Sequence, residues 1–296
     1  MTLRKQKRPK LKKGVRFTIL MLVILSGILV YQAGGKGFLE SLSKPVVSLS
    51  EQLTHQPDSE LKQQWQDILT DQDANVNIAV YNHKTDQTTA FSNNTSATYY
   101  TASIIKVAVL ANLLNNHEDN NTSLSADEQT LAQDMITLSD NEATTTLLNT
   151  YQGGYTAPNR LFNQLGMTHT KMSTAAWGLS TTTAADQIKL LNALAYGTKS
   201  PLDQADRNYV LQLMANVAPD QAWGMSSELT DNAQVELKNG WLALDNGWVV
   251  NTIGHVKTKN SNYTIAVLTN GNATQDQGID LIESLAAVTA KQLNAD

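Results

Sequence analysis

The sequence predicts an α/β (α+β) domain in which one antiparallel sheet takes strands from both ends of the domain and an all-helical lobe fills the middle. Three observations carry this. Strand-like segments stand at 76–81 and 87–91, and again at 234–237, 248–257 and 263–269. Six helical stretches lie between them, at 104–115, 126–138, 142–151, 158–165, 183–195 and 204–215, most with apolar residues at i, i+3, i+4 spacing. Sequential strands prefer to be neighbours, and an antiparallel sheet can accept strands from both termini.

In chain order, residues 1–16 hold eight basic side chains and no acidic one, and read as a cytoplasmic tail. The stretch from Phe17 to Tyr31 carries no charge. With its flanks, at 17–33, it is expected to be an uncleaved transmembrane anchor, although it falls a little short of the roughly 30 Å hydrocarbon core. The alternative is a signal peptide, whose apolar region is this short, but no A-x-A-like site follows it. In either case the basic residues stay inside and the body lies outside the cytoplasm. Residues 34–58 read as a stalk, and 59–296 as the folded domain. A helix is expected over 59–69, with Ser59 as its cap and Leu61, Trp65, Ile68 and Leu69 on one face. The strands 76–81 and 87–91 follow, joined by the turn-like 82–86. A last helix covers 275–293.

Composition narrows the function. Of 22 basic residues eight lie in the tail, which leaves 14 against 27 acidic residues in the remainder. An acidic body argues against a nucleic-acid partner. The chain has no cysteine, so disulfides, thiolate metal sites and cysteine catalysis are excluded. Its five histidines (His55, His83, His117, His169 and His255) show no metal-binding spacing, and neither metal nor cofactor is expected.

Three polar motifs fall at element boundaries. Ser103-Ile-Ile-Lys106 stands where a polar stretch meets an apolar helix. A lysine three residues after a serine on a helix brings its amine towards the hydroxyl, and the helix start favours developing negative charge. Flanking Ile104, Ile105 and Val107 would desolvate the lysine and make a neutral amine available as base. Taken alone the pattern is weak. Ser41–Lys44 and Ser59–Lys62 repeat it, and Ser103 could be an ordinary helix cap. Ser139-Asp140-Asn141 lies between two predicted helices, where capping is again the plain explanation. Lys238-Asn239-Gly240-Trp241 is placed at a strand end, where Asn-Gly could form a hairpin turn. Asp245-Asn246-Gly247 offers a better turn just beyond it.

Together and in this order, S-x-x-K, S-D-N and K-x-G resemble the motif set of the penicillin-recognising serine enzymes, the class A β-lactamases and the D,D-peptidase penicillin-binding proteins. The resemblance covers about residues 60–293 and implies the β-lactamase-like form of the predicted fold. It implies that Ser103 is acylated, that Lys106 accepts its proton, and that Ser139 relays a proton to the leaving nitrogen. It further implies that Asn141 binds the substrate amide, that Lys238 and Asn239 serve the substrate carboxylate, and that Gly240 and Trp241 line the strand, with the N–H groups of Ser103 and Trp241 as the oxyanion hole. Asp140 holds its loop together.

The departures are specific. Asn239 stands where the family usually has Thr or Ser, which puts carboxylate recognition in question. The stretch between the first two motifs is short. Class A β-lactamases carry a loop Glu that activates the deacylating water, whereas 166–183 (GMTHTKMSTAAWGLSTTT) has no acidic residue. The expectation is therefore an extracytoplasmic serine hydrolase for β-lactams, D-alanyl-D-alanine-like peptides or both, slow to deacylate. The alternatives are a competent β-lactamase and a wall-binding or β-lactam-binding module without turnover.

Overall fold

The structure is a computed structural model and describes residues 57–295 apart from 227, 228, 230 and 231. The expected tail, membrane span and stalk to residue 56 lie outside the described residues. Among the described residues no helix is long and apolar enough to cross a membrane.

Helix α1 (Pro57–Leu69) buries Leu61, Trp65 and Leu69, the face expected from their spacing. Trp65 is 0% exposed and donates its indole N–H to Thr289 Oγ1 at 2.9 Å. Thr289 belongs to the last helix, α8 (Gln275–Ala295), so one hydrogen bond ties the two ends of the domain. Strands β1 (Asn75–Asn82) and β2 (Gln87–Ser92) form the first hairpin. The sheet is completed by β5 (Gln234–Leu244), β6 (Gly247–Lys257) and β7 (Asn262–Asn272). Its order is β2-β1-β7-β6-β5, antiparallel throughout. The β1–β7 pairing joins strands from the two ends of the chain, as the sequence predicts.

Alternation places Ile78, Val80, Leu237, Val250 and Val267 in a core with α1 and α8. Ala79, Ile253, Ala266 and Leu268 face the helical lobe. That lobe contains α2 (Ile105–Asp119), α3 (Ala126–Thr137), α4 (Asn141–Thr146), α5 (Asn159–Leu165), α6 (Ala184–Tyr196) and α7 (Gln204–Ala215). Every residue of α2 from Ile105 to Asn115 is buried, Lys106 included. A helix enclosed on all sides is apolar over most of its surface, and the polar exceptions in IKVAVLANLLN are bonded: Asn112 donates to Gln152 Oε1 and Asn115 to Gln164 Oε1, each at 2.7 Å. Helix α3 starts with a capping box between Ser125 and Glu128.

Two local expectations are corrected. The third motif is not at a strand end: β5 runs seven residues past the expected end at Leu237, through the motif to Leu244, and turns only at Asp245-Asn246, with Gly247 at φ 114°. Residues 236–240 are all buried, and the strand pairs with β6 without interruption from Gln234 to Leu244, so it has no reason to stop there. The expected helix at 104–115 opens instead as a 3-10 turn over Ala102–Ile104. A further pair, β3 (Tyr99–Tyr100) with β4 (Thr181–Thr182), is two residues long in each strand. That is too short to leave a periodic signal.

Candidate active site

Strand β5 is one of the two edges of the five-stranded sheet, and its Gly240 meets the turn carrying Ser103. A Cβ added to Gly240 would stand 2.6 Å from the backbone nitrogen of Ser103, 2.9 Å from that of Ile104 and 3.0 Å from the carbonyl oxygen of Thr101. Only glycine permits that approach. The turn is held from two further sides. Asn251, opposite Gly240 in the β5–β6 register, donates from Nδ2 to the carbonyls of Tyr100 (2.8 Å) and Thr101 (3.1 Å). The Thr101 N–H donates to the carbonyl of Ser180 at 2.8 Å. Between these anchors Ala102 is forced to a positive φ of 45°, a strained setting that fixes the direction of Ser103. Asn251 was not singled out from the sequence, although an asparagine inside the apolar run VVNTIGHV was a usable signal.

Lys106 lies one helical turn beyond Ser103 and is 0% exposed. Its Nζ donates to the Ser139 carbonyl (2.6 Å) and to Asn141 Oδ1 (2.8 Å), and lies 3.1 Å from Ser139 Oγ. This corrects the expected pairing of the amine with the Ser103 hydroxyl, which has no hydrogen-bond partner among the described residues. The second motif instead supplies the acceptors that surround the amine. Base–nucleophile contacts commonly tighten only when substrate is bound.

Ser139 is the junction. It adopts a positive φ of 57°, and its hydroxyl also accepts a hydrogen bond from Lys238 Nζ at 2.9 Å. Lys238, 0% exposed, donates as well to the Asn239 carbonyl at 3.1 Å. A continuous line of polar atoms thus runs Lys106–Ser139–Lys238 and brings the three motifs together. Asp140 caps α4, accepting from the Ala143 N–H at 2.6 Å. Asn141 is exposed, with Nδ2 free of any hydrogen bond among the described residues, so it can donate outward. Glu142 lies exposed in the first turn of α4.

Burial pushes the Lys106 amine down to about 7, helped by the charge of Lys238 and opposed by Asp140. Burial alone brings Lys238 to about 7. Near neutral pH an appreciable fraction of Lys106 is therefore a free base. The indole of Trp177, from the acid-free loop, stands with its ring centre 5.0 Å from Lys106 Nζ. It is fixed there by donation from Nε1 to Thr145 Oγ1 at 3.1 Å. An aromatic face favours the protonated amine and fills space beside it.

Asn239 departs from its expected placement. It is 1% exposed, and Nδ2 donates to the carbonyls of Gln221 (2.8 Å) and Trp223 (2.9 Å), pinning the 219–223 segment to β5. Its neighbour Trp241 lies tilted against Trp223, ring centres 5.9 Å apart. Away from these groups, the carboxylates of Glu118, Asp203 and Asp206 converge. Two of the three already accept backbone N–H groups of the cluster: Glu118 from Asp203 at 2.5 Å and Asp203 from Asp206 at 2.8 Å.

The model of the β-lactamase enzyme family matches residues 60–129 and 126–293. Comparison with curated protein sequences finds no match. Among solved structures, the chain is similar to a class A β-lactamase from Bacteroides cellulosilyticus at 19% identity and a TM-score of 0.71, covering 82% of this chain and 100% of that one. The TLA-1 extended-spectrum β-lactamase is similar at 18% identity and a TM-score of 0.71, with 81% and 100% covered. A mutant of PBP-A, in its acyl-enzyme complex with penicillin G, is similar at 20% identity and a TM-score of 0.69, with 80% and 97% covered. At such identities the structural likeness establishes the fold, while the family match spans nearly the whole described domain. The chain belongs to the β-lactamase enzyme family, as a serine hydrolase of the β-lactamase and penicillin-binding-protein type.

Proposed function

We propose that the domain acts through an acyl-enzyme on Ser103, with β-lactams, D-alanyl-D-alanine-like peptides or both as substrates. One observation supports this above the others: two fully buried amines, Lys106 and Lys238, meet at the Ser139 hydroxyl beside the turn that presents Ser103. Neutral Lys106 takes the Ser103 proton as Oγ attacks the carbonyl carbon. The N–H groups of Ser103 and Trp241 receive the oxyanion, where one donor is worth about 3–4 kcal/mol in comparable sites. As the C–N bond breaks, the proton passes from Lys106 through Ser139 to the leaving nitrogen. Asn141 Nδ2 holds the substrate amide.

Deacylation in this reading is slow. The 166–183 loop supplies no carboxylate and instead sets Trp177 beside Lys106, so no loop acid activates the water. The domain is displayed outside the cytoplasmic membrane, a reading supported by the eight basic residues ahead of the uncharged 17–31 stretch. Intact-mass spectrometry after adding a penicillin tests the nucleophile. A covalent adduct is expected on Ser103 and is lost in Ser103→Ala. An adduct mapped to another residue, or none at all, refutes the assignment.

A further inference from the structure

Once Ser103 is acylated, the 166–183 loop offers no carboxylate to activate water, but Lys106 still lies one helical turn away. A neutral amine at that place can take a proton from water as well as from serine. The adduct lasts only if water is kept from it. The Ser139 carbonyl, Ser139 Oγ and Asn141 Oδ1 surround part of the amine. The Trp177 ring stands over it, with its centre 5.0 Å from Nζ. A water between amine and ring would need about 2.9 Å to the nitrogen and about 3.5 Å to the ring carbons, and so more than about 6 Å in line. A gap of 5.0 Å holds no water.

The ring is held there from the second motif and from the serine turn. Its Nε1 donates to Thr145 Oγ1 at 3.1 Å, and Thr145, one turn beyond Asn141 in α4, donates to the Asn141 carbonyl at 3.0 Å. The Trp177 carbonyl accepts from Ser180 Oγ at 2.6 Å, and the Ser180 carbonyl accepts the Thr101 N–H of the serine turn at 2.8 Å. Gly178 packs on the same turn, where an added Cβ would stand 4.0 Å from Ala102 Cα. Lys106 is wholly buried and Trp177 half-buried, so the indole forms part of the wall between the amine and solvent.

We infer that Trp177 is a positioning residue for deacylation: its indole bars water from the Lys106 amine and thereby prolongs the acyl-enzyme. This role deepens the slow turnover proposed above and rests on acylation of Ser103. With the ring removed, water can sit against Nζ. The neutral amine then takes one of its protons as the water oxygen attacks the acyl carbonyl carbon. The bond from that carbon to Ser103 Oγ breaks, and the proton passes from Lys106 to Oγ. The acyl group leaves as its carboxylic acid and Ser103 is regenerated.

The test follows the lifetime of the Ser103 adduct by time-resolved intact-mass spectrometry of the full chain after a pulse of benzylpenicillin. Wild type, Trp177→Ala, Trp177→Phe and Thr145→Val are compared, and only labelled molecules are counted, so a change in acylation rate does not enter. Trp177→Ala is expected to shorten the lifetime about 10²-fold, the lower end of general-base assistance. Trp177→Phe keeps an aromatic face over the amine and is expected to retain the long lifetime. Thr145→Val leaves the indole unanchored and is expected to shorten the lifetime up to about tenfold, the scale of one lost hydrogen bond. The loss rate of the Trp177→Ala adduct is expected to rise with pH and level off once Lys106 is neutral, a plateau that a merely loosened fold would not give. An unchanged lifetime in Trp177→Ala, or a shortened one without the plateau, overturns the inference while leaving the nucleophile intact. If Trp177→Ala yields no folded protein, an unchanged lifetime in Thr145→Val overturns it. A wild-type chain that takes no label overturns both this inference and the acyl-enzyme reading.

Discussion

A side-chain carbon on Gly240 would stand 2.6 Å from the backbone nitrogen of Ser103, so β5 and the serine turn pack together through the lack of a side chain. Gly240→Ala must push the strand away from the turn, because the contacts are backbone atoms that cannot rotate aside. Displacing an oxyanion-hole donor costs about 10²–10³ in rate. Acylation of Gly240→Ala by a penicillin is expected to fall by that order, read as the second-order labelling rate. Labelling at the wild-type rate would mean that β5 contributes no donor to the reaction.

The pH dependence of acylation follows from the buried amines. Lys106 accepts a proton only when neutral, so the rate is expected to rise through about pH 7. Lys238 pushes Lys106 down and Asp140 pushes it up. Lys238→Met therefore moves the rising limb to higher pH, and Asp140→Asn moves it lower while keeping a capping residue. Shifts of the same sign in the two variants would contradict the electrostatic origin of the limb.

Asn251 holds the Tyr100 and Thr101 carbonyls from within the sheet. It touches no substrate in this mechanism and acts by positioning the turn. Asn251→Ala is expected to slow acylation about tenfold or more, because small misplacements of reacting groups are costly. The pH midpoint should be unmoved, since the charges around Lys106 are unaltered. A shifted midpoint with an unchanged maximal rate would point to a different role.

Trp65 is the clearest stability determinant, fully buried and hydrogen-bonded to Thr289. Trp65→Ala is expected to destabilise the domain by about 3–5 kcal/mol, the range for removing a buried aromatic side chain. Denaturant unfolding checks it, and a loss under about 1 kcal/mol would show that α1 is peripheral to the cooperative unit.

For topology, protease added to wall-stripped cells is expected to digest the domain from residue 57 onward, with the full-length chain recovered in membranes before digestion. A protected domain would contradict the proposed location. A soluble form beginning near Gly34 would identify the apolar stretch as a signal peptide.

The fold was legible because it is written in long periodic segments. The helix and strand patterns at each end and in the middle are unambiguous, and the β1–β7 pairing follows from them. Three motifs in order were enough to bring Ser103, Lys106, Ser139 and Lys238 to one place. What escaped was set by tertiary contact. The extension of β5 depends on pairing along β6, and Asn-Gly inside it mimics a turn. Asn239 reads as a ligand for a carboxylate until the 219–223 segment is seen to occupy both its N–H groups. Trp177 and Asn251 act on residues distant in sequence, Lys106 and the Ser103 turn, so no local spacing announces them.

Trp177 beside Lys106, in a loop without an acid, leads to the most direct test. Time-resolved intact-mass spectrometry of the full chain, mixed with a penicillin near neutral pH, follows formation and loss of the Ser103 adduct. General-base assistance contributes about 10²–10⁴-fold to such a hydrolysis, and without it the expected result is a burst of about one equivalent followed by an adduct that persists for many minutes. Complete loss of the adduct within about a second would contradict slow deacylation and mark the chain as an efficient β-lactamase despite its loop.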